Sequence, residues 1–322
     1  MSPKRGDLST ETRPGNTVRI TLKIDVDTLR GTLDGVPALV DLLGRHGAQA
    51  TFLFSLGPDN TGRALKRVFR PGFLKKVFRT SVTSNYGLKT LMYGVLIPGP
   101  DIAKRGAGAM RVARDAGFEV GIHTYDHIRW QDYVTRRDAA WTRREMTRAA
   151  QAFEGVFGEP AKTYGAAGWQ TNAHALALQE ELGFTYCSDT RGTTPFMVEM
   201  GGRRFHCPQL PTTLPTLDEL VGREGITLNN VADHLLRASA APLPCGHVFT
   251  LHAELEGMAY LGILDRLLAE WRARGDTLGS LGELYRSLNP ARLPTHELIF
   301  GRLPGRSGTV AMQGEEREPI AA

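Results

Sequence analysis

Val18-Arg-Ile-Thr-Leu-Lys-Ile-Asp-Val-Asp27 alternates around Ile24 and Val26 with the period of a strand. Downstream, Val36 to Arg45 puts Val36, Leu39, Val40 and Leu43 at helical spacing and is closed by Gly47, and Ala50 to Ser55 reads as a second strand. Together they make a β-α-β unit. The alternation returns at Ala107 to Ala116 with Glu119 to Ile122, at Arg143 to Phe157 with Thr163 to Ala166, and at Ala173 to Leu182 with Thr185 to Ser188. It closes with Val231 to Ser239, Val248 to His252, Leu261 to Arg274 and Ser280 to Leu288. Repeated units with short loops imply a parallel sheet, and their number suits an α/β fold of the (β/α) barrel kind.

The residues with chemical potential fall where apolar runs end. In a strand, Asp25 and Asp27 point to the same face. His123 and His127, in Val120-Gly-Ile-His-Thr-Tyr-Asp-His127, are four apart, which predicts two imidazoles on one side of a helical turn. Either pair alone is ambiguous, because such histidines occur on exposed helices and such aspartates cap turns. Together they offer a His, His, Asp site for a divalent ion, with a second carboxylate beside it. In barrels of this type the strand ends are where chemistry collects.

Composition excludes little. The 322 residues are 41% hydrophobic and 23% charged, ordinary for a soluble enzyme, and the formal charge of +5 favours an anionic partner. Cys187, Cys207 and Cys245 are odd in number and contain no Cys-x-x-Cys, so neither a disulfide framework nor a zinc ribbon is expected. Residues 1–16 are polar, lack the apolar core of a secretory signal, and are expected to form a disordered extension. The compact domain is expected over 17–304, with a flexible tail over 305–322. No apolar run reaches the length of a membrane span.

Residues 60–100 break the rhythm. Between Asn60 and Pro100 there is no acidic residue, while Arg63, Lys66, Arg67, Arg70, Lys75, Lys76, Arg79 and Lys89 interleave with Leu65, Val68, Phe69, Phe73, Leu74, Val77 and Phe78. Two readings fit a greasy face opposed to a basic one. It is an amphipathic helix packed on the core, or an element lying in an anionic membrane interface, with Leu65, Phe69, Phe73 and Phe78 in the acyl boundary and Lys75 and Lys76 on headgroups.

The order Asp25-x-Asp27, His123-x-x-x-His127, then Thr250-Leu-His252 resembles the polysaccharide deacetylase (NodB-like) family. Ile24-Asp-Val-Asp-Thr28, Ser55-Leu-Gly-Pro-Asp-Asn-Thr-Gly-Arg63, Ala166-Ala-Gly-Trp169, Ser188-Asp-Thr-Arg-Gly192, Gln209-Leu-Pro-Thr-Thr-Leu-Pro-Thr216 and His252-Ala-Glu-Leu-Glu-Gly257 look like one branch of it, the 4-deoxy-4-formamido-L-arabinose-phosphoundecaprenol deformylases. The resemblance implies a distorted barrel of the NodB type carrying a basic insertion. It also implies hydrolysis of a formyl group from an amino sugar on undecaprenyl phosphate, on the route to lipid A modified against polymyxin. The enzyme would sit peripherally on the cytoplasmic face of the inner membrane, with an anionic membrane surface and the lipid-linked sugar as partners and no nucleic acid.

By the same resemblance Asp25 is the general base, Asp27, His123 and His127 hold one divalent ion (Zn, Mn, Co or Fe), and His252 is the general acid. Asp189 falls where a carboxylate can hold His252, or it begins a turn before Gly192. The family's Arg near Tyr164-Gly-Ala-Ala-Gly-Trp169 is missing; Arg191 is its candidate replacement, or a surface charge. Arg30, Arg63, Trp169, Arg191 and Glu254 are candidate substrate contacts, with core packing the competing role for Trp169. Removal of an acetyl group from a polysaccharide or another lipid-linked amino sugar is the alternative activity.

Overall fold

The structure, a computed structural model, describes residues 17–64, 90 and 92–318. Its elements in chain order are β1 (Arg19–Val26), a π-helical turn (Gly31–Gly35) running into α1 (Val36–Arg45), β2 (Thr51–Ser55), α2 (Ile102–Asp115), β3 (Glu119–Thr124), α3 (His127–Tyr133), α4 (Ala139–Phe157) and β4 (Thr163–Tyr164). Then come α5 (Ala173–Glu181), β5 (Tyr186–Cys187), β6 (Phe196–Met200), β7 (Arg203–Gln209), α6 (Leu217–Leu220), α7 (Val231–Ala238) and β8 (His247–His252). A second π-helical turn (Leu255–Ala259), α8 (Leu261–Ala273), β9 (Thr277–Gly279), α9 (Leu281–Arg286), β10 (Thr295–Gly301) and β11 (Val310–Arg317) complete the chain.

β1 is the axis of the sheet. It pairs in parallel with β2, β8 and β9, and the parallel run continues from β2 through β3, β4, β5 and β7. The two ends of that run approach each other: Thr213 and Leu214 N–H both donate to Val248 O, at 3.0 and 3.2 Å, and Thr212 and Thr250 hydroxyls meet at 2.7 Å. The expected (β/α) barrel is thus present as an open, irregular one.

Alternation along β1 explains why it can lie at the centre. Ile20, Leu22, Ile24 and Val26 are wholly buried and join Val36, Leu39, Leu264, Leu268 and Trp271 in the main core outside the strands. Thr21, Lys23 and Asp25 share the opposite face and are buried as well. A strand buried on both faces is what a helix-covered parallel sheet requires. Tyr186, Leu210 and Val248 form a separate apolar cluster with Leu281 and Leu284 of α9, capping the end of the sheet where the strands begin. Polar residues such as Asp25 and His252 are left for the end where they finish.

Three features depart from the sequence reading. β6 and β7 form an antiparallel hairpin turned by Gly201 and Gly202 at φ of 61° and 77°, a Gly-Gly turn signal between two short strands. The tail expected to be flexible from about Gly305 instead supplies β11, which pairs antiparallel with β10 over Val310–Arg317. Its Glu and Arg content masks it locally, because an edge strand draws its order from its neighbour rather than from its own apolar residues. The proposed membrane contacts Leu65, Phe69, Phe73, Lys75, Lys76 and Phe78 lie outside the described residues.

Candidate metal centre

Asp27 leaves the end of β1 and faces both imidazoles. His123 Nε2 lies 3.3 Å from Asp27 Oδ1 and His127 Nε2 lies 3.4 Å from Oδ2. One ligand atom from each residue falls within 4.8 Å of the others, which makes this a possible cation cluster among the described residues. Asp27 Oδ1 is buried and accepts no hydrogen bond. An orphan carboxylate oxygen between two ring nitrogens is a donor set that fits a divalent ion. Burial alone would raise Asp27, but the charges of His127 and His123, with His252 near them, hold it below the ordinary carboxylate range.

The two histidines do not share a helix turn. His123 belongs to β3 and His127 opens α3, so the four-residue spacing spans a strand end, a loop and a helix start. Asp126 fixes that corner: one oxygen caps α3 through Arg129 N–H at 3.0 Å and the other accepts from Asn60 Nδ2 at 2.7 Å. Asp27 is fixed by Glu254, whose Oε1 accepts from Asp27 N–H at 2.9 Å, Thr28 N–H at 2.7 Å and Thr28 Oγ1 at 2.8 Å. Glu254 is therefore a buried brace for the ligand loop rather than a sugar contact. The brace needs Gly31, since a Cβ there would lie 2.0 Å from Glu254 Oε1. The π-helical turns at Gly31–Gly35 and Leu255–Ala259 meet at Gly35 and Gly257, another approach that side chains would block.

The sequence pattern of the polysaccharide deacetylases matches residues 17–187. The chain belongs to the polysaccharide deacetylase family. It is 36% identical over 299 residues to a Shewanella sediminis protein named "Probable 4-deoxy-4-formamido-L-arabinose-phosphoundecaprenol deformylase ArnD", covering 92% of this chain and 95% of that one. A Wigglesworthia glossinidia brevipalpis protein of the same name is 30% identical, covering 88% of this chain and 98% of that one. Among solved structures, a polysaccharide deacetylase-type protein of Mycobacterium smegmatis superposes with a TM-score of 0.60 at 19% identity, over 90% of this chain and 96% of its own. That likeness concerns the fold.

Asp25 and His252 stand side by side, since β1 and β8 register them as partners. Asp25 Oδ1 is 3.7 Å from His123 Nδ1, on the side of the ring away from Asp27, and accepts no hydrogen bond. His252 Nδ1 is likewise buried without a partner. Asp189 does not hold it. The Asp189 carboxylate instead takes Ala166 N–H at 2.7 Å and the amides of Gln179 and Gln209, tying together the segments after β4 and β5.

The carboxylate beside His252 is Glu256, whose Oε2 accepts the His252 backbone N–H at 2.7 Å while Oε1 has no partner. Burial raises Glu256 to about 7 against the pull of His252. Because this lies above the ordinary carboxyl value, the folded protein holds the proton more tightly than the unfolded chain. The stability it gives is full below the unfolded value and is lost as pH rises through about 7. Relative to Glu256→Gln, the natural protein is expected to lose on the order of 3 kcal/mol across that window. Thermal melts of both proteins over a pH series measure the difference; parallel curves would contradict it.

The remaining sequence candidates disperse. Arg191 forms a buried pair with Glu219 at 2.9 Å and donates to Leu214 O at 2.9 Å, so it does not replace the family Arg at Asp25. Trp169 is buried, donates Nε1–H to Thr212 Oγ1 at 3.2 Å and is flanked by Arg191 and Arg306, which makes it a packing residue. Arg30 faces Asp34 at 3.7 Å near the rim, and Arg63 donates to Gly94 O at 2.9 Å. The residue that was missed is Lys23, wholly buried with Nζ 3.7 Å from Asp25 Oδ2. Its signal was a lysine on the same strand face as Asp25 and Asp27, the face opposite Ile20, Leu22, Ile24 and Val26.

Proposed function

We propose that this chain removes the formyl group from 4-deoxy-4-formamido-L-arabinose carried on undecaprenyl phosphate, a step toward lipid A bearing aminoarabinose. The supporting observation is the Asp27, His123 and His127 cluster flanked by Asp25 and His252, in a chain matching two proteins of that name along nearly their whole length. A cation (Zn, Mn, Co or Fe) held by Asp27, His123 and His127 supplies a Lewis acid toward the formamide oxygen and acidifies water.

Asp25 takes a proton from the attacking water through its uncommitted Oδ1. The water oxygen bonds to the formyl carbon, and the carbon–nitrogen bond then breaks. His252 gives a proton to the departing sugar nitrogen, so that formate and a free amine leave. Both residues stand close enough to serve one amide group because β1 and β8 place them in register.

The substrate bears a lipid tail and a phosphate. No helix of the described residues is long and apolar enough to cross a membrane. Val95 and Leu96 are 51% and 74% exposed in the turn after the basic segment, next to Pro98 and upstream of Lys104 and Arg105. Apolar tips beside cations suit peripheral seating on an anionic leaflet, which we place at the cytoplasmic face.

The test supplies purified protein with undecaprenyl-phosphate-linked 4-formamido- and 4-acetamido-arabinose. Formate release is expected to exceed acetate release by about tenfold or more, the scale on which one methyl group is discriminated. Faster acetate release would replace the deformylase with the deacetylase reading.

A further inference from the structure

We propose that Lys23 is the positioning residue for Asp25, facing its carboxylate from two residues earlier on β1. The inference rests on Asp25 acting as the base. A lysine is almost never fully buried without a partner, and Lys23 has no exposed side-chain surface. Its ammonium donates to Ser188 O at 2.9 Å and faces Asp25 Oδ2 at 3.7 Å. It also lies 5.4 Å from the centre of the Trp169 ring, whose face favours a cation.

The surroundings are shaped to admit it. A Cβ on Gly165, at the end of β4, would lie 3.3 Å from Lys23 Cε and 2.4 Å from Leu53 Cδ1. The end of β4 therefore leaves the space that the lysine side chain occupies. Lys23 and His123 take opposite oxygens of Asp25, Oδ2 toward the ammonium and Oδ1 toward His123 Nδ1. One oxygen is anchored and the other is left to receive a proton. The ammonium thus holds the carboxylate on the side away from the ligand cluster. Burial pulls Lys23 below the usual lysine range, with Asp25 and Asp189 opposing.

Removing one partner of a buried charged pair leaves the other uncompensated and lowers stability. A purely structural role would stop there, whereas a positioning role also lowers kcat per folded chain. Lys23→Met, and Lys23→Gln, which keeps a donor for Ser188 O, are expected to lower kcat for formate release about 10- to 100-fold with KM changed less than about threefold. Cation content per folded chain stays at the natural level while Tm falls, and Lys23→Arg restores most of kcat. In an Asp25→Asn background, Lys23→Met removes little more. Full kcat in both neutral variants, with Asp25→Asn inactive, overturns the role of Lys23 alone. A lower Tm with kcat per folded chain retained also overturns it. Full activity in Asp25→Asn overturns the base assignment itself.

Discussion

Replacing Asp25 by Asn is expected to lower the rate of formate release by about a thousandfold while the protein stays folded and binds its cation. General base catalysis contributes roughly 10²- to 10⁴-fold, and the amide keeps the shape of the carboxylate without its capacity to take a proton. The loss should fall on kcat, since Asp25 Oδ1 is uncommitted in the resting site and its proton is gained only as water attacks. Cation retention follows from the geometry. Asp25 meets His123 at Nδ1, whereas the ligand cluster uses the side of the ring facing Asp27. Kinetics with metal analysis of the same preparation measures both quantities. Activity within tenfold of the natural protein would show that another group accepts the proton.

The second large effect concerns the ion. Asp27→Ala and His123→Ala are expected to abolish activity, as is chelation of the natural protein, and only the natural protein should recover when Zn, Mn, Co or Fe is returned. Removing Asp27 takes away the single carboxylate among three ligands and leaves two imidazoles without a counter-charge. A readout independent of turnover exists, because an ion that binds only the folded chain stabilises it by about 2.7 kcal/mol at a hundredfold excess over Kd. Adding cation should therefore raise the Tm of the natural protein by several degrees and leave both variants unmoved. An equal rise in all three would place the ion elsewhere.

Much of the fold was legible because β1, α1 and β2 carry strong local periods. Among the later elements, β3, α4, β4, α5, β5, α7, β8, α8 and α9 also lie within a few residues of the bounds read from sequence, whereas α3, α6 and β9 have no counterpart in that reading. The β6–β7 hairpin, β10 and β11 were not, since their strands are short or polar and are ordered by pairing over long sequence distances. The candidate cation cluster was legible from residue type and order. Its geometry was misread for His123 and His127, where a spacing of four suggested one helix and the chain instead turns a corner fixed by Asp126 and Asn60. Burial explains the other errors: Glu254, Asp189, Arg191 and Trp169 all look like polar or aromatic loop residues, and all are enclosed by partners that only the folded chain brings to them. Lys23 was hidden because a lysine in an alternating strand reads as solvent-facing, and only the closed sheet buries that face.

The central claim is that Asp27, His123 and His127 hold a cation while Asp25 stays free beside it. Anomalous diffraction from crystals grown with Zn or Mn tests it most directly. The expected map has one peak among Asp27, His123 Nε2 and His127 Nε2, with Asp25 turned to Lys23 and outside ligand distance. A peak ligated by Asp25, or no peak between the imidazoles, would contradict it.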